Sequence, residues 1–88
     1  MDRQAVISEI ADLVDVYTGL PLMFFTLGNY GKGFNVNGVV WAYEVAEFTQ
    51  SVEERLGIKI EKKIEDVGTM HINQFCDLCV ARVKALGK

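Results

Sequence analysis

Residues 41–60, WAYEVAEFTQSVEERLGIKI, contain the helical pattern on which the predicted fold depends. The apolar spacing of a helix with one broad buried face begins just before this stretch, at Asn37 or Gly38, and continues to Leu56. Asn37 is the expected cap, and Gly57 is expected to end the helix because glycine tolerates the left-handed conformation. The residues predicted to face the core are Val39, Val40, Tyr43, Ala46, Phe48, Val52, Leu56, Ile58 and Ile60.

The amino-terminal part of the chain predicts a first helix over residues 3–18. Asp2 is the expected N-cap, and Gly19 with Pro21 is expected to end the helix. The apolar residues that recur on one helical face are Val6, Ile7, Ile10, Leu13, Val14 and Tyr17.

Residues 20–37 predict a long loop because glycine and asparagine are dense there. Four apolar side chains, Leu22, Phe24, Phe25 and Leu27, are expected to hold the loop against the core. The sequence GNYGKG at 28–33 superficially resembles a phosphate-binding loop. It lacks the full spacing of that motif and follows no convincing strand, so it does not predict a nucleotide site.

The carboxyl-terminal part predicts one helical turn over residues 62–67, a break at Gly68 and a last helix over residues 70–86 with Thr69 as its cap. Helices with short connections favour a small antiparallel bundle. The chain therefore predicts one all-α domain over residues 1–88. The inward residues of the last helix are predicted to be Ile72, Phe75, Cys76, Cys79, Val83 and Leu86.

The net charge of −3 is unevenly distributed and is most negative on the central helix. Residues 41–56 hold four acidic side chains and one basic one, a net of −3, whereas residues 57–88 hold six basic and four acidic ones, a net of +2. This balance argues against nonspecific nucleic-acid binding, which needs a basic surface. Acidic residues interrupt the first apolar run, and no stretch reaches the ~20 apolar residues of a membrane helix. We therefore expect a cytoplasmic protein without a membrane partner.

Cys76 and Cys79 form a CxxC motif inside the last predicted helix. Both cysteines lie on its apolar stripe, which favours core packing over a redox role. His71 with the two cysteines is one ligand short of a structural zinc set. Ser8 and Ser51 lie inside predicted helices, and no catalytic triad can be assembled. We expect no enzyme activity and no metal.

Glu44, Glu47 and Glu54 fall near one stripe of the central helix, and Glu53 widens that stripe. Spacing alone leaves two interpretations open. The glutamates form either a solvated helix face or a docking strip for a basic partner, since complementary charge speeds and orients association.

Residues 56–60, LGIKI, resemble the end of the second helix in acyl carrier proteins. Residues 71–78, HINQFCDL, resemble the opening of that family's final helix. The resemblance spans residues 4–83 and is specific over residues 41–60. It implies a four-helix bundle of the acyl-carrier-protein type, with a long loop between the first and second helices and a second helix that recognises partners.

The residues aligned with the family's prosthetic-group motif differ from it. Counting back without a gap places Trp41-Ala42-Tyr43 over Asp-Ser-Leu, so Ala42 occupies the position of the serine that carries phosphopantetheine. A second register places residues 37–39 over the motif and also lacks serine. The resemblance therefore implies a carrier-like protein without this cofactor.

The same resemblance implies a docking role on the basic surface of a carrier-protein-recognising enzyme. Its pathway would be fatty acid, polyketide or nonribosomal peptide biosynthesis. An alternative role for Trp41 is to fill space near the mouth of the bundle. An alternative function is noncovalent lipid or acyl-chain binding between Phe24, Phe25, Phe48 and Phe75. The predicted partner-binding residues are Trp41, Tyr43, Glu44, Glu47, Glu53 and Glu54.

Overall fold

The structure, a computed structural model, describes residues 1–18 and 35–87. These two ranges are all-α, as predicted, and they contain no strand beyond an isolated bridge between Asn35 and His71. The predicted loop falls largely on residues 19–34, so GNYGKG, Phe24 and Phe25 lie outside the described residues. The helices are α1 (Arg3–Thr18), α2 (Val36–Val39), a 3-10 helix (Ala42–Glu44), α3 (Val45–Leu56), α4 (Ile64–Thr69) and α5 (Ile72–Ala85).

Helix α1 has the predicted bounds and the predicted cap. The Asp2 carboxylate accepts a hydrogen bond from the backbone N–H of Ala5 at 2.8 Å, which satisfies a donor in the first turn. The apolar face of α1 is buried, with Val6 and Ile10 fully excluded from solvent. This face packs against both α3 and α5.

Phenylalanines of α3 and α5 meet in the core. Phe48 and Phe75 are fully buried, with ring centroids 5.8 Å apart. Tyr17 of α1 packs edge-on against Phe48 at 5.7 Å, and its hydroxyl is 3.1 Å from the Ser51 hydroxyl. Each of the three long helices therefore contributes an aromatic side chain to one cluster.

The central helix is shorter than predicted, because the chain breaks at Val40 and Trp41. Helix α2 ends at Val39, the backbone of Val40 is extended, Trp41 is also non-helical, and α3 begins at Val45. Consecutive β-branched residues lose rotamer freedom in a helix, and the extended backbone allows both Val39 and Val40 to be buried. The prediction of one continuous helix over this stretch was wrong at its start.

The stop at Gly57 is confirmed. Gly57 adopts the left-handed conformation (φ 67°, ψ 35°), and the next residue, Ile58, donates its N–H to the Glu53 carbonyl at 3.0 Å. Ile58 and Ile60 are buried, as predicted.

Several predicted details of the helix ends and faces were wrong. Asn35, rather than Asn37, occupies the cap position of α2, and its side chain makes no capping bond. Tyr43 is exposed in the 3-10 helix that precedes α3, and Ala46 is exposed because Val45, rather than Ala46, is buried at the start of α3. Leu86 follows the end of α5 and is 56% exposed.

Gly68 lies inside α4 and does not break it, because its backbone remains helical. Thr69 is the last residue of α4 and does not cap α5. The α5 cap is His71, whose Nδ1 accepts from the Asn73 N–H at 3.2 Å, while the Gln74 side chain accepts from the His71 N–H at 3.4 Å. This reciprocal pair is a capping box, which satisfies two donors at once.

In residues 1–18 and 35–87, no helix combines the length and the apolar character that crossing a membrane requires.

Candidate functional site

Trp41 and Tyr43 form an exposed aromatic pair immediately before α3. Trp41 is 63% exposed and Tyr43 is 80% exposed. Their rings are stacked, with centroids 6.4 Å apart and planes inclined by 17°. The 3-10 helix creates this arrangement, since the Glu44 N–H bonds to the Trp41 carbonyl at 2.8 Å and turns the chain tightly between the two rings. The pair does not fill space inside the bundle.

The four predicted glutamates have different environments. Glu53 is half-buried, and its carboxylate accepts the Ile60 N–H at 2.9 Å, which fixes the segment after Gly57. Glu44 is also half-buried, and one of its carboxylate oxygens is shielded from solvent without a hydrogen-bond partner. Glu53 therefore has a structural role, while Glu44 has one of its two carboxylate oxygens withdrawn from solvent.

Glu47 and Glu54 are the exposed members of the stripe. They lie two helical turns apart on α3, and Glu54 accepts a long 3.4 Å bond from Gln50. The basic residue of α3, Arg55, turns toward α1. Its guanidinium lies 2.6 Å from an Asp12 oxygen, and this hydrogen bond raises the pKa of Arg55 above its ordinary value. The outward charge of α3 is consequently acidic.

A cleft of about 460 Å³ opens beside Ala42, between the 3-10 helix and α4. Ala42 itself is exposed, and the Val45 side chain below it is buried. Ile64, on the opposite side, is 42% exposed. The apolar lining is Ala42, Val45, Ile64 and Gly68, and the polar lining is Asn37, Glu65 and Thr69.

Contacts between α2 and the α4–α5 connection hold this cleft in place. The Val36 N–H donates to the Met70 carbonyl at 2.9 Å, next to the bridge between Asn35 and His71. A Cβ on Gly68 would lie 3.7 Å from the Asn37 Cβ, so the two elements are in close contact. Thr69 donates its hydroxyl to the Glu65 carbonyl at 3.1 Å within α4.

Cys76 and Cys79 are buried in the face of α5, as their spacing predicted. Burial raises the pKa of each thiol to about 12, because the thiolate would lose its hydration. A nucleophilic or redox cysteine needs a lowered pKa and access to solvent. Neither cysteine has those properties.

His71 uses its Nδ1 atom to cap α5. Across residues 1–18 and 35–87, no three histidine, cysteine, aspartate or glutamate side chains are grouped in a way that could hold a metal ion.

Of the four phenylalanines assigned to a lipid site, Phe48 and Phe75 pack against each other in the core. Phe24 and Phe25 lie outside the described residues. No observation on the described residues favours lipid binding over core packing for this cluster.

Comparisons with protein-family models, with curated protein sequences and with solved structures find no match to this chain.

Sequence reasoning missed the contribution of α4 to this surface. Ile64, Glu65 and Gly68 line the cleft beside the aromatic pair, whereas the sequence suggested only a helical turn and a glycine break. The available signal was an isolated glycine in a helical pattern, which a helix tolerates at a modest cost.

Proposed function

We propose that this chain is a non-catalytic, carrier-protein-like interaction module. It docks the acidic side of α3 onto the basic surface of an enzyme that recognises carrier proteins, and it carries no phosphopantetheine. The enzyme belongs to fatty acid, polyketide or nonribosomal peptide biosynthesis.

The observation that carries this proposal is the stacked, exposed Trp41–Tyr43 pair at the start of a helix whose outward charge is acidic. Large aromatic side chains are enriched at protein interfaces because they bury much area with few rotatable bonds. Glu47 extends the surface along α3, and its charge would orient a basic partner. Together they provide an apolar contact area and, beside it, a negative charge that would orient a basic partner.

The arrangement of the helices is compatible with the proposed carrier fold. Helix α1 packs against both α3 and α5, and the short α4 joins α3 to α5. In the sequence, residues 19–34 fall where the carrier family has its long loop. On this alignment Ala42 takes the place of the modified serine, and a methyl group cannot form the phosphodiester that attaches phosphopantetheine.

A competition assay tests the docking role. Excess chain is added while a phosphopantetheinyl transferase modifies an ordinary acyl carrier protein, and the rate of modification is measured by mass spectrometry. We expect the unaltered chain to slow the reaction. The double variant Glu47→Lys with Glu54→Lys should lose most of this inhibition, and added salt should weaken inhibition by the unaltered chain.

The matched control changes the same amount of charge elsewhere. Asp15→Lys with Glu61→Lys alters two exposed acids outside α3 and should inhibit as the unaltered chain does. Equal inhibition by both double variants, or no inhibition by the unaltered chain, would contradict the proposal.

The same reaction reports on the prosthetic group. The mass of the unaltered chain should not change, whereas Trp41→Asp with Ala42→Ser and Tyr43→Leu should gain one phosphopantetheine. A gain by the unaltered chain would show attachment at another site, and no gain by the triple variant would count against the register.

A further inference from the structure

The cleft beside Ala42 adjoins the proposed docking surface along the chain. Ala42 lines the cleft and lies between Trp41 and Tyr43, whose side chains do not line it. Ile64 of α4 also lines the cleft and leaves 42% of its surface exposed. A protein partner that contacts the aromatic pair would therefore lie next to a residue that lines the cleft.

The interior of the cleft suits an aliphatic side chain. Val45, a buried residue, contributes to its lining, and Ala42, Ile64 and Gly68 add further apolar surface. An aliphatic group that enters from solvent would remove apolar area from water on both partners.

The lining of the cleft contains one charged residue, Glu65, which is exposed. Asp66 on the same helical turn and Lys62 and Lys63 before α4 do not line the cleft. Charge complementarity therefore favours a cationic group beside Glu65.

We propose that the cleft receives one aliphatic side chain of a protein partner, and that a neighbouring partner arginine pairs with Glu65 and stacks on the Trp41–Tyr43 pair. This inference rests on the proposed function and specifies the partner's chemistry. Arginine fits better than lysine because its planar guanidinium binds a carboxylate in a fork and stacks on aromatic faces.

Trp41 is the only tryptophan in the chain, so its fluorescence reports directly on this surface. The probe is an alanine-rich helical peptide of about 16 residues, long enough to hold partial helix, with one leucine flanked by arginines one turn away on either side. A saturable change in Trp41 emission is expected. A peptide with serine in place of leucine should bind about tenfold more weakly, because the apolar contact is lost.

Variants of the protein test the contribution of the cleft to peptide binding separately from that of the rest of the surface. Ala42→Leu places a larger side chain at an exposed position that lines the cleft, and it should weaken leucine-peptide binding about tenfold. Ala81→Leu makes the same change at an exposed position of α5 that does not line the cleft, and it should bind as the unaltered chain does. Glu65→Arg should reverse the charge preference, so that a glutamate-flanked peptide replaces the arginine-flanked one.

Equal binding of the leucine and serine peptides, unchanged binding by Ala42→Leu, or no saturable binding of any peptide would overturn the inference. Circular dichroism confirms that the Ala42→Leu variant is folded. The enzyme competition assay keeps the two proposals distinguishable. If the two peptides bind equally but the unaltered chain still inhibits the transferase reaction, only the cleft proposal fails. If the unaltered chain does not inhibit that reaction, the proposed docking function fails.

Discussion

At the scale of single residues, adjacent glutamates on α3 have different roles. The Glu53 carboxylate accepts the Ile60 N–H at 2.9 Å, while Glu54 is exposed and makes only a long bond to Gln50. A helical pattern places both near the same face, but it does not show which of the two carboxylates will accept a hydrogen bond from the backbone after Gly57. The predicted stripe therefore combined a structural residue with surface residues.

Truncation of each side chain should separate these roles. Glu53→Ala should lower the free energy of unfolding by about 1–2 kcal/mol, because the Ile60 N–H loses its acceptor in a half-buried position. Glu54→Ala should change it by less than about 0.5 kcal/mol, as surface substitutions usually do. Urea denaturation measures both values, and equal values would argue against a structural role for Glu53.

At the scale of helices, local signals predicted α1 and the stop at Gly57, because an N-cap carboxylate and a left-handed glycine act within a few residues. The break at Val40 and the helical Gly68 were not predictable in this way. They accompany contacts between distant parts of the chain, such as the Val36 N–H with the Met70 carbonyl. The cleft depends on the same contacts. The sequence therefore predicted Trp41 and Tyr43 as site residues but not the residues of α4 that line the cleft.

Two glycine substitutions should have effects of opposite sign. Gly57→Ala should destabilise the fold by about 1 kcal/mol, because an L residue is strained at a φ of 67°. Gly68→Ala should be neutral or stabilise the fold by up to about 1 kcal/mol, because alanine favours a helix. A Cβ at that position would meet Asn37 at an ordinary 3.7 Å. Thermal melting of the two variants checks the order, and destabilisation by Gly68→Ala would show that α4 and α2 tolerate no added methyl.

At the scale of the whole molecule, packing determines which charges face outward. Arg55 bridges α3 to Glu9 and Asp12 on α1, so the base on α3 supports the contact between two helices. Such exposed ion pairs add little stability, typically less than about 1 kcal/mol. Their consequence here is the acidic outer side of α3. The regional charge count from sequence identified the acidic helix, but only the packing shows where its arginine points.

The buried thiols of α5 should make stability depend on alkaline pH. The pKa of Cys76 and of Cys79 is about 12 in the folded protein and 9.0 for an unperturbed thiol. Because the folded state keeps the neutral thiols, their contribution is fully present below about pH 9 and is lost as the pH rises toward 12. In that window the pair should lower the free energy of unfolding by about 1–2 kcal/mol per pH unit.

Guanidinium denaturation under reducing conditions at about pH 8 and about pH 10.5 measures the loss. Tyrosines and lysines also titrate in this range, so the informative quantity is the difference from a Cys76→Ala, Cys79→Ala variant. That variant should lose less stability between the two pH values, and an equal loss would mean that the thiols do not contribute to the pH dependence.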